Sequence, residues 1–289
     1  MAFRINSNIP AQNALRNLNI TQNNLNGTVE RLSSGLRINK AKDDAAGLAI
    51  SEGMRSDVRV LRQGVRNAND AISVIQTAEG GMSQVNTILT RMKELAMESA
   101  GVLPDNNDRA KLDAEFTALS DELNRIASGT EFNGTSLLDG TFVDKNVHIG
   151  LGNDQGVDKV SISISSRSGV DKAFTTAQLL DAANDGATSV FTISTQDSAI
   201  NVMARINTAI DNVNAARAGL GALQSRFDQM IMNLDNTIEN TSAAESQIRD
   251  ADIAYETTQF TRFQILQQSG VAMLAQANVA PQSALSLLG

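Results

Sequence analysis

Few residues of this 289-residue chain have the types and spacing to do chemistry. Its single histidine is His148, and a lone imidazole needs a nucleophile, a carboxylate or a second metal ligand beside it before it can catalyse. There is no Cys and no Ser nucleophile motif nearby, so His148 reads as a structural residue in a strand. Asp144, Asp154 and Asp158 stand among Gly150, Gly152 and Gly156 and faintly resemble a calcium loop, but they lack regular ligand spacing. A solvated turn accounts for them, and neither metal nor cofactor is expected. The pair Gly80-Gly81 interrupts a helical pattern at a cost on the order of 1 kcal/mol per Gly relative to Ala. It points to close packing or a weak point, not to a phosphate cradle.

The elements that would position such groups are helices. Met54, Leu61, Ala68, Ile75, Met82, Leu89 and Ala96 recur every seven residues, with Val58, Val65 and Ile72 in a second row, which is a coiled-coil seam. After a turn at Gly101 to Pro104, Leu112, Phe116, Leu119, Leu123 and Ile126 mark one face of a shorter helix. Ile206, Val213, Leu220, Phe227, Leu234, Thr241, Ile248 and Tyr255 again fall seven apart and predict one helix of about 75 Å. One seam alone would be an ordinary core face, but three at opposite ends of the chain predict helices that run out, turn and return antiparallel. Between them, LDGTFVDKNVHIGLGNDQGVDKVSISISS alternates Val160, Ile162 and Ile164 with Ser and predicts a hairpin or two. AQLLDAAND predicts a short helix and SVFTIST a further strand. The expected fold is mainly α, an elongated antiparallel helical bundle or coiled coil with a small β-hairpin-rich central insert.

Composition agrees. Aromatic residues make up 3% of the chain, with no Trp and one Tyr, which is too few to fill a wide core. Pro occurs only at Pro10, Pro104 and Pro281, so long helices are permitted. A net charge of -8 without a basic tract argues against nucleic acid. No apolar run approaches the ~18 residues of a membrane span, and MAFRINSNIPAQ has no signal-peptide pattern, so no membrane partner and no cleaved signal are expected.

The chain ends carry seams of their own. Leu15, Leu18, Leu25, Val29 and Leu32 form one, and Phe260, Phe263, Leu266, Met273 and Leu274 the other. Each segment is short and rich in Asn and Gln, so it should order only against neighbours, which predicts self-assembly into an open helical polymer.

Several motifs in one order resemble bacterial flagellin: MAFRINSNIPAQNALRNLN, RLSSGLRINKAKDDAAGLAIS, GTEFNG, NLDNTIENTSAAESQIRDADIAYETT and QILQQSGVAMLAQANVAPQSALSLLG. The likeness covers about 1–140 and 200–289 and leaves the middle unmatched. It implies a structural, non-enzymatic subunit of the swimming filament, extracellular and exported by the flagellar apparatus without a cleaved signal. Its implied partners are further copies of itself, an export chaperone on the C-terminal segment, the hook-filament junction and filament cap proteins, and host Toll-like receptor 5. It also implies three regions: terminal inner-core segments at 1–43 and 250–289, unstructured in the free subunit; a helical rod at 44–140 and 195–249; and an outer insert at 141–194. Leu15, Leu18, Leu25, Leu32, Phe260, Phe263, Leu266 and Leu274 would then serve inner-core polymerisation. Gly35, Lys40, Lys42, Asp43, Asp44 and Gly47 become an interlayer connector, the glycines supplying unusual backbone angles and the charges pairing between layers or subunits. Arg91, Glu94, Leu95 and Glu115 resemble the patch that the receptor reads, with Arg91 and Leu95 expected on one helix face. Lys93 stands where Arg is common. A hook-filament junction protein is the alternative reading. An enzyme on this scaffold would need its chemistry in the insert, where no zincin-type motif occurs.

Overall fold

A computed structural model of the chain describes residues 8–154, 156–165, 173–180 and 191–286, with side chains as far as 279. Among these residues, six helices carry most of the chain: α1 (Ile9–Ser34), α2 (Ala45–Ser99), α3 (Asn106–Gly129), α4 (Thr176–Leu180), α5 (Gln196–Arg249) and α6 (Ile253–Ser286). Strands β1 (Glu131–Phe132) with β2 (Thr135–Ser136), and β3 (Lys145–His148) with β4 (Lys159–Ile162), make two antiparallel hairpins. The mainly α class with a hairpin-rich insert is the one that the spacing predicts. Packing divides the chain into two compact units, Arg59–Ile238 and the pair Met1–Val58 with Glu239–Gly289, and α2 and α5 each give residues to both.

Within Arg59–Ile238 the seven-residue rows become the core. Ala68, Ile75, Met82, Leu89 and Ala96 of α2, Phe116 and Leu123 of α3, and Ile206, Val213, Leu220 and Phe227 of α5 are all buried in one cluster. Helix α3 folds back on α2, and Arg109 Nε donates to the Ser99 carbonyl at 2.9 Å. Helix α5 also runs antiparallel to α2, with Gln196 Nε2 donating to Ala100 O at 3.0 Å near one end and Arg217 Nη2 to Glu79 Oε1 at 3.4 Å farther along. Gly81 is a packing glycine, because a Cβ there would stand 2.7 Å from Thr130 Oγ1 and 2.8 Å from Leu138 Cδ1, while Gly80 faces open space.

The hairpins pack by the alternation read from the sequence. Val160 and Ile162, and Ile164 beyond them, are buried, while Ser161 and Ser163 face out. The β1–β2 turn places Asn133 at φ 49° and Gly134 at φ 74°, the paired left-handed conformation of a two-residue hairpin loop.

One strand expectation fails. Among the described residues Phe191–Thr195 joins no ladder; the Ile193 N–H donates to Asp113 Oδ1 at 2.7 Å and its carbonyl accepts from Ser99 Oγ. Side chains of α3 and α2 thus supply the partners that a neighbouring strand would have given. Helix α4 (Thr176–Leu180) includes 177–180 of the expected short helix, and residues 181–185, like 189–190, lie outside the described residues.

In the second unit α1 and α6 run antiparallel. Asn8 Nδ2 donates to Ala277 O at 2.9 Å, Gln267 Nε2 to Gln22 Oε1 at 2.5 Å and Arg31 Nη1 to Glu256 Oε1 at 3.2 Å, in that order along the pair. Asn8 caps α1 through the Ala11 N–H at 3.1 Å, with Pro10 in the first turn. Gly270 lets the helices approach, since a Cβ there would sit 3.2 Å from Leu18 Cδ1.

The single helix expected through Tyr255 is two helices. Helix α5 stops at Arg249, residues 250–252 leave the helix, and α6 begins at Ile253. Short polar side chains cause the break: Asp252 Oδ1 accepts from the Tyr255 N–H at 3.1 Å as an N-cap, and Asp250 Oδ2 accepts from Ser246 Oγ at 2.5 Å.

Candidate functional site

The connector at 35–44 and the break at 250–252 meet, and together they build a joint. Gly35 ends α1 at φ 71°, a left-handed C-cap that most residues resist, with its N–H on Arg31 O at 2.8 Å. The released chain then pairs across. Arg37 N donates to Arg249 O at 2.6 Å, Ala251 N donates to Gly35 O at 2.9 Å, and Leu36 bridges Asp250. Each connector supplies the hydrogen bonds that the other lost by leaving its helix.

Charged side chains hold this joint. Arg37 Nη2 donates to the Ile248 carbonyl at 2.6 Å, and Arg249 Nη1 donates to Glu52 Oε1 at 2.6 Å. That hydrogen bond holds the Glu52 carboxyl below its ordinary range. Lys40 Nζ pairs with Glu30 at 2.6 Å, which holds the ammonium above its ordinary value. Asp43 Oδ2 accepts the backbone N–H groups of Lys40 at 3.0 Å and Asn39 at 3.3 Å, and the Lys40 bond keeps its carboxyl low. Asp44 caps α2 through the Gly47 N–H at 2.9 Å. Lys42 is exposed and acts on Asp43 through its charge alone.

Gly47 differs from expectation. It sits inside α2 without a left-handed angle, and what it supplies is space: a Cβ would lie 2.8 Å from Ile38 Cδ1. Arg31 and Glu256 share no local spacing, because 225 positions separate them. Glu256 is only 5% exposed, and the one sequence signal near it is the Asp-Ala-Asp run that breaks the helix.

The two terminal seams pack only in part. Leu18, Leu25, Leu32, Phe260, Phe263 and Leu274 are half-buried, whereas Leu15 and Leu266 are exposed. Around them Ile20, Val29, Ile265, Val271 and Met273 also face out, Met273 at 65% exposure. Two helices touching along one stripe cannot cover the rest of their apolar residues.

On the other unit, Arg91 forms the centre of an exposed ion-pair group. Its Nη2 lies 2.8 Å from Glu115 Oε1 and its Nη1 3.1 Å from Glu94 Oε2, bringing together three of the four residues singled out there. Glu115 first, then Glu94, holds the guanidinium above its usual value. Leu95 departs from expectation, being 1% exposed and part of the core cluster. Four residues advance a helix about 40° past a full turn, which here carries Leu95 from the flank of Arg91 into the buried seam. Lys93 is half-buried.

The chemistry-bearing residues stay apart. The His148 carbonyl, not its ring, accepts from Asn67 Nδ2 at 2.7 Å, and the residue pairs with Lys159 across the hairpin. Asp158 Oδ2 accepts the Asp154 N–H at 3.0 Å, which holds its carboxyl low and closes a turn. Among the described residues no three His, Asp or Glu side chains group as metal ligands, and no helix is long and apolar enough to cross a membrane.

Comparison with known proteins places this arrangement. The bacterial flagellin N-terminal helical region matches residues 5–143 and the C-terminal helical region matches 203–288. A flagellin of Halalkalibacterium halodurans is 44% identical over 98% of this chain and 99% of its own, and one of Bacillus subtilis is 41% identical over 99% and 100%. A solved structure assigned as a flagellar hook-associated protein of Vibrio parahaemolyticus shares the fold, at a TM-score of 0.53 over 72% of this chain and all of its own, but only 16% of the sequence. With both helical regions matched and relatives above 40% identity along nearly the whole length, this chain belongs to the bacterial flagellin family.

Proposed function

We propose that this chain is the subunit of a bacterial flagellar filament, polymerising through the flanks of α1 and α6 and doing mechanical work without turning over a substrate. The observation that carries the reading is the apolar surface those helices leave uncovered, from Leu15, Ile20 and Val29 to Ile265, Leu266 and Met273. Covering apolar surface of this kind with neighbouring copies removes it from water and stabilises the assembly. The identity to flagellins favours the filament over the hook-filament junction, since the hook-associated likeness is one of fold alone.

In this reading residues 1–43 and 250–289 form the inner layer, 44–140 and 195–249 the rod, and 141–194 the outer insert. Gly35, Lys40, Lys42, Asp43, Asp44 and Gly47 act as the connector between layers. The subunit travels to the extracellular filament, a chaperone holds its C-terminal segment, and junction and cap proteins bound the polymer. Arg91, Glu94 and Glu115 offer an exposed charged patch to Toll-like receptor 5 on the free subunit, and Leu95 supports that patch from beneath.

Seeded growth followed by electron microscopy tests the core of this. The full chain should extend filament seeds, and chains lacking 1–30 or 260–289 should remain soluble, helical and unpolymerised. Long filaments from either truncated chain would overturn the assignment of polymer contacts to the ends.

A further inference from the structure

The joint carries a cleft of about 560 Å³ whose chemistry the helix flanks do not explain. Four carboxylates border it, Asp43, Asp44, Asp252 and Glu256, against the guanidinium groups of Arg31 and Arg37. Both guanidinium groups are engaged, Arg31 with Glu256 Oε1 at 3.2 Å and Arg37 with the Ile248 carbonyl at 2.6 Å. The carboxylates are less fully used, because Asp43, Asp44 and Asp252 meet only backbone N–H groups there. Glu256 is 5% exposed, yet its Oε2 accepts nothing among the described residues. A buried carboxylate oxygen left idle is costly, and nearby positive charge is what relieves it. Beside it stands Tyr255, the only tyrosine of the chain, 59% exposed.

We propose that this cleft receives an arginine side chain from a second copy of the chain. An acidic excess beside an exposed aromatic ring is the environment a guanidinium prefers, since it stacks on the ring while its planar donors reach carboxylates. The chain has the guests to offer. Arg16, Arg59, Arg62, Arg226 and Arg262 are exposed and make no hydrogen bond or ion pair with another described residue. A contact that sets an arginine of one patch into a different patch of the next copy is heterologous, so it repeats along a polymer without closing. The identity of the donor rests on the filament reading; the preference of the cleft for guanidinium does not.

Two measurements separate these. Amide spectra of the full-length monomer, titrated with N-methylguanidinium against sodium chloride at equal ionic strength, should show saturable shifts at Tyr255 and Glu256, half-complete at roughly 1–100 mM. Glu256→Gln should weaken that binding about fivefold or more, and so should Tyr255→Leu, which leaves the Arg31–Glu256 pair in place and guards against misfolding of the first variant. Shifts no larger than those with sodium chloride, or unchanged in both variants, would overturn the proposal. In seeded filaments, a photo-crosslinker placed at 255 should capture a segment bearing one of the five arginines of another copy. Capture confined to other segments would remove the arginine as guest. Failure of the unmodified chain to grow on seeds would count against the filament reading, and the titration would still decide the cleft.

Discussion

The two units handle the apolar rows of their helices in opposite ways. In Arg59–Ile238, α2, α3 and α5 share one buried cluster, and Phe116, Phe174 and Phe227 are wholly enclosed. In the other, α1 and α6 meet along a half-buried stripe and leave Leu15, Ile265, Leu266 and Met273 in solvent. Both carry comparable apolar spacing, so periodicity does not set the outcome. The number of helices does: three can enclose a seam, and two cannot. In the proposed filament, such a chain keeps one part folded for itself and reserves the other for its neighbours.

The sharpest way to break this comparison is to truncate a side chain in each unit. Phe116→Ala or Phe227→Ala should cost the monomer about 3–5 kcal/mol in chemical unfolding, because each leaves a cavity in a closed core. Phe263→Ala, at a half-buried position, should cost the monomer roughly 1 kcal/mol. Equal losses would mean that the terminal pair is as well packed as the core.

A smaller effect sharpens the role of the joint. Gly35→Ala forces a side chain into a left-handed conformation at φ 71°, which should cost about 1–2 kcal/mol, whereas Ala at Gly53, which has no positive φ and open space around it, should be neutral or slightly stabilising. Thermal unfolding followed by amide signals of Arg37 and Ala251 would read both.

Acid should have the smallest effect. Glu52 and Asp43 both have folded pKa values below their unfolded ones, the first through Arg249 and the second through the Lys40 N–H. Their contribution is therefore full above the unfolded carboxylate range near pH ~4 and is lost as pH falls through the folded values. Amide exchange at Arg37, Lys40 and Ala251 should rise on acidification before exchange in the α2–α3–α5 core does. The rise should be modest, because these carboxylates are exposed.

Much of the fold is legible in the spacing of single residues. Leu61, Ala68, Ile75, Met82 and Leu89 name the buried face of α2 without any structure, because a seven-residue row has only one inward side. Gly35 announces its turn for a similar local reason. What stays hidden depends on partners far along the chain. Tyr255 keeps the seven-residue count yet belongs to another helix: Asp250 and Asp252 break the helix locally, and the bond from Ala251 N–H to Gly35 O, more than two hundred positions away, holds the break in place. Arg31 and Glu256 carry no mutual signal in sequence, because 225 positions separate them and only the antiparallel pairing of α1 with α6 brings them together. Leu95 failed for a finer reason, the angular slip of about 40° between residues four apart, which decides between flank and seam.

In the proposed filament, the open flanks of α1 and α6 are the surface that other copies cover. Hydrogen exchange on residues 9–34 and 253–279, measured in the free subunit and in seeded filaments, tests it most directly. Exchange at these residues should be faster in the monomer than exchange in the α2–α3–α5 core, and should slow by orders of magnitude in the filament with little further change in the core. Strong protection of α1 and α6 in the free subunit, or none gained on polymerisation, would contradict the account.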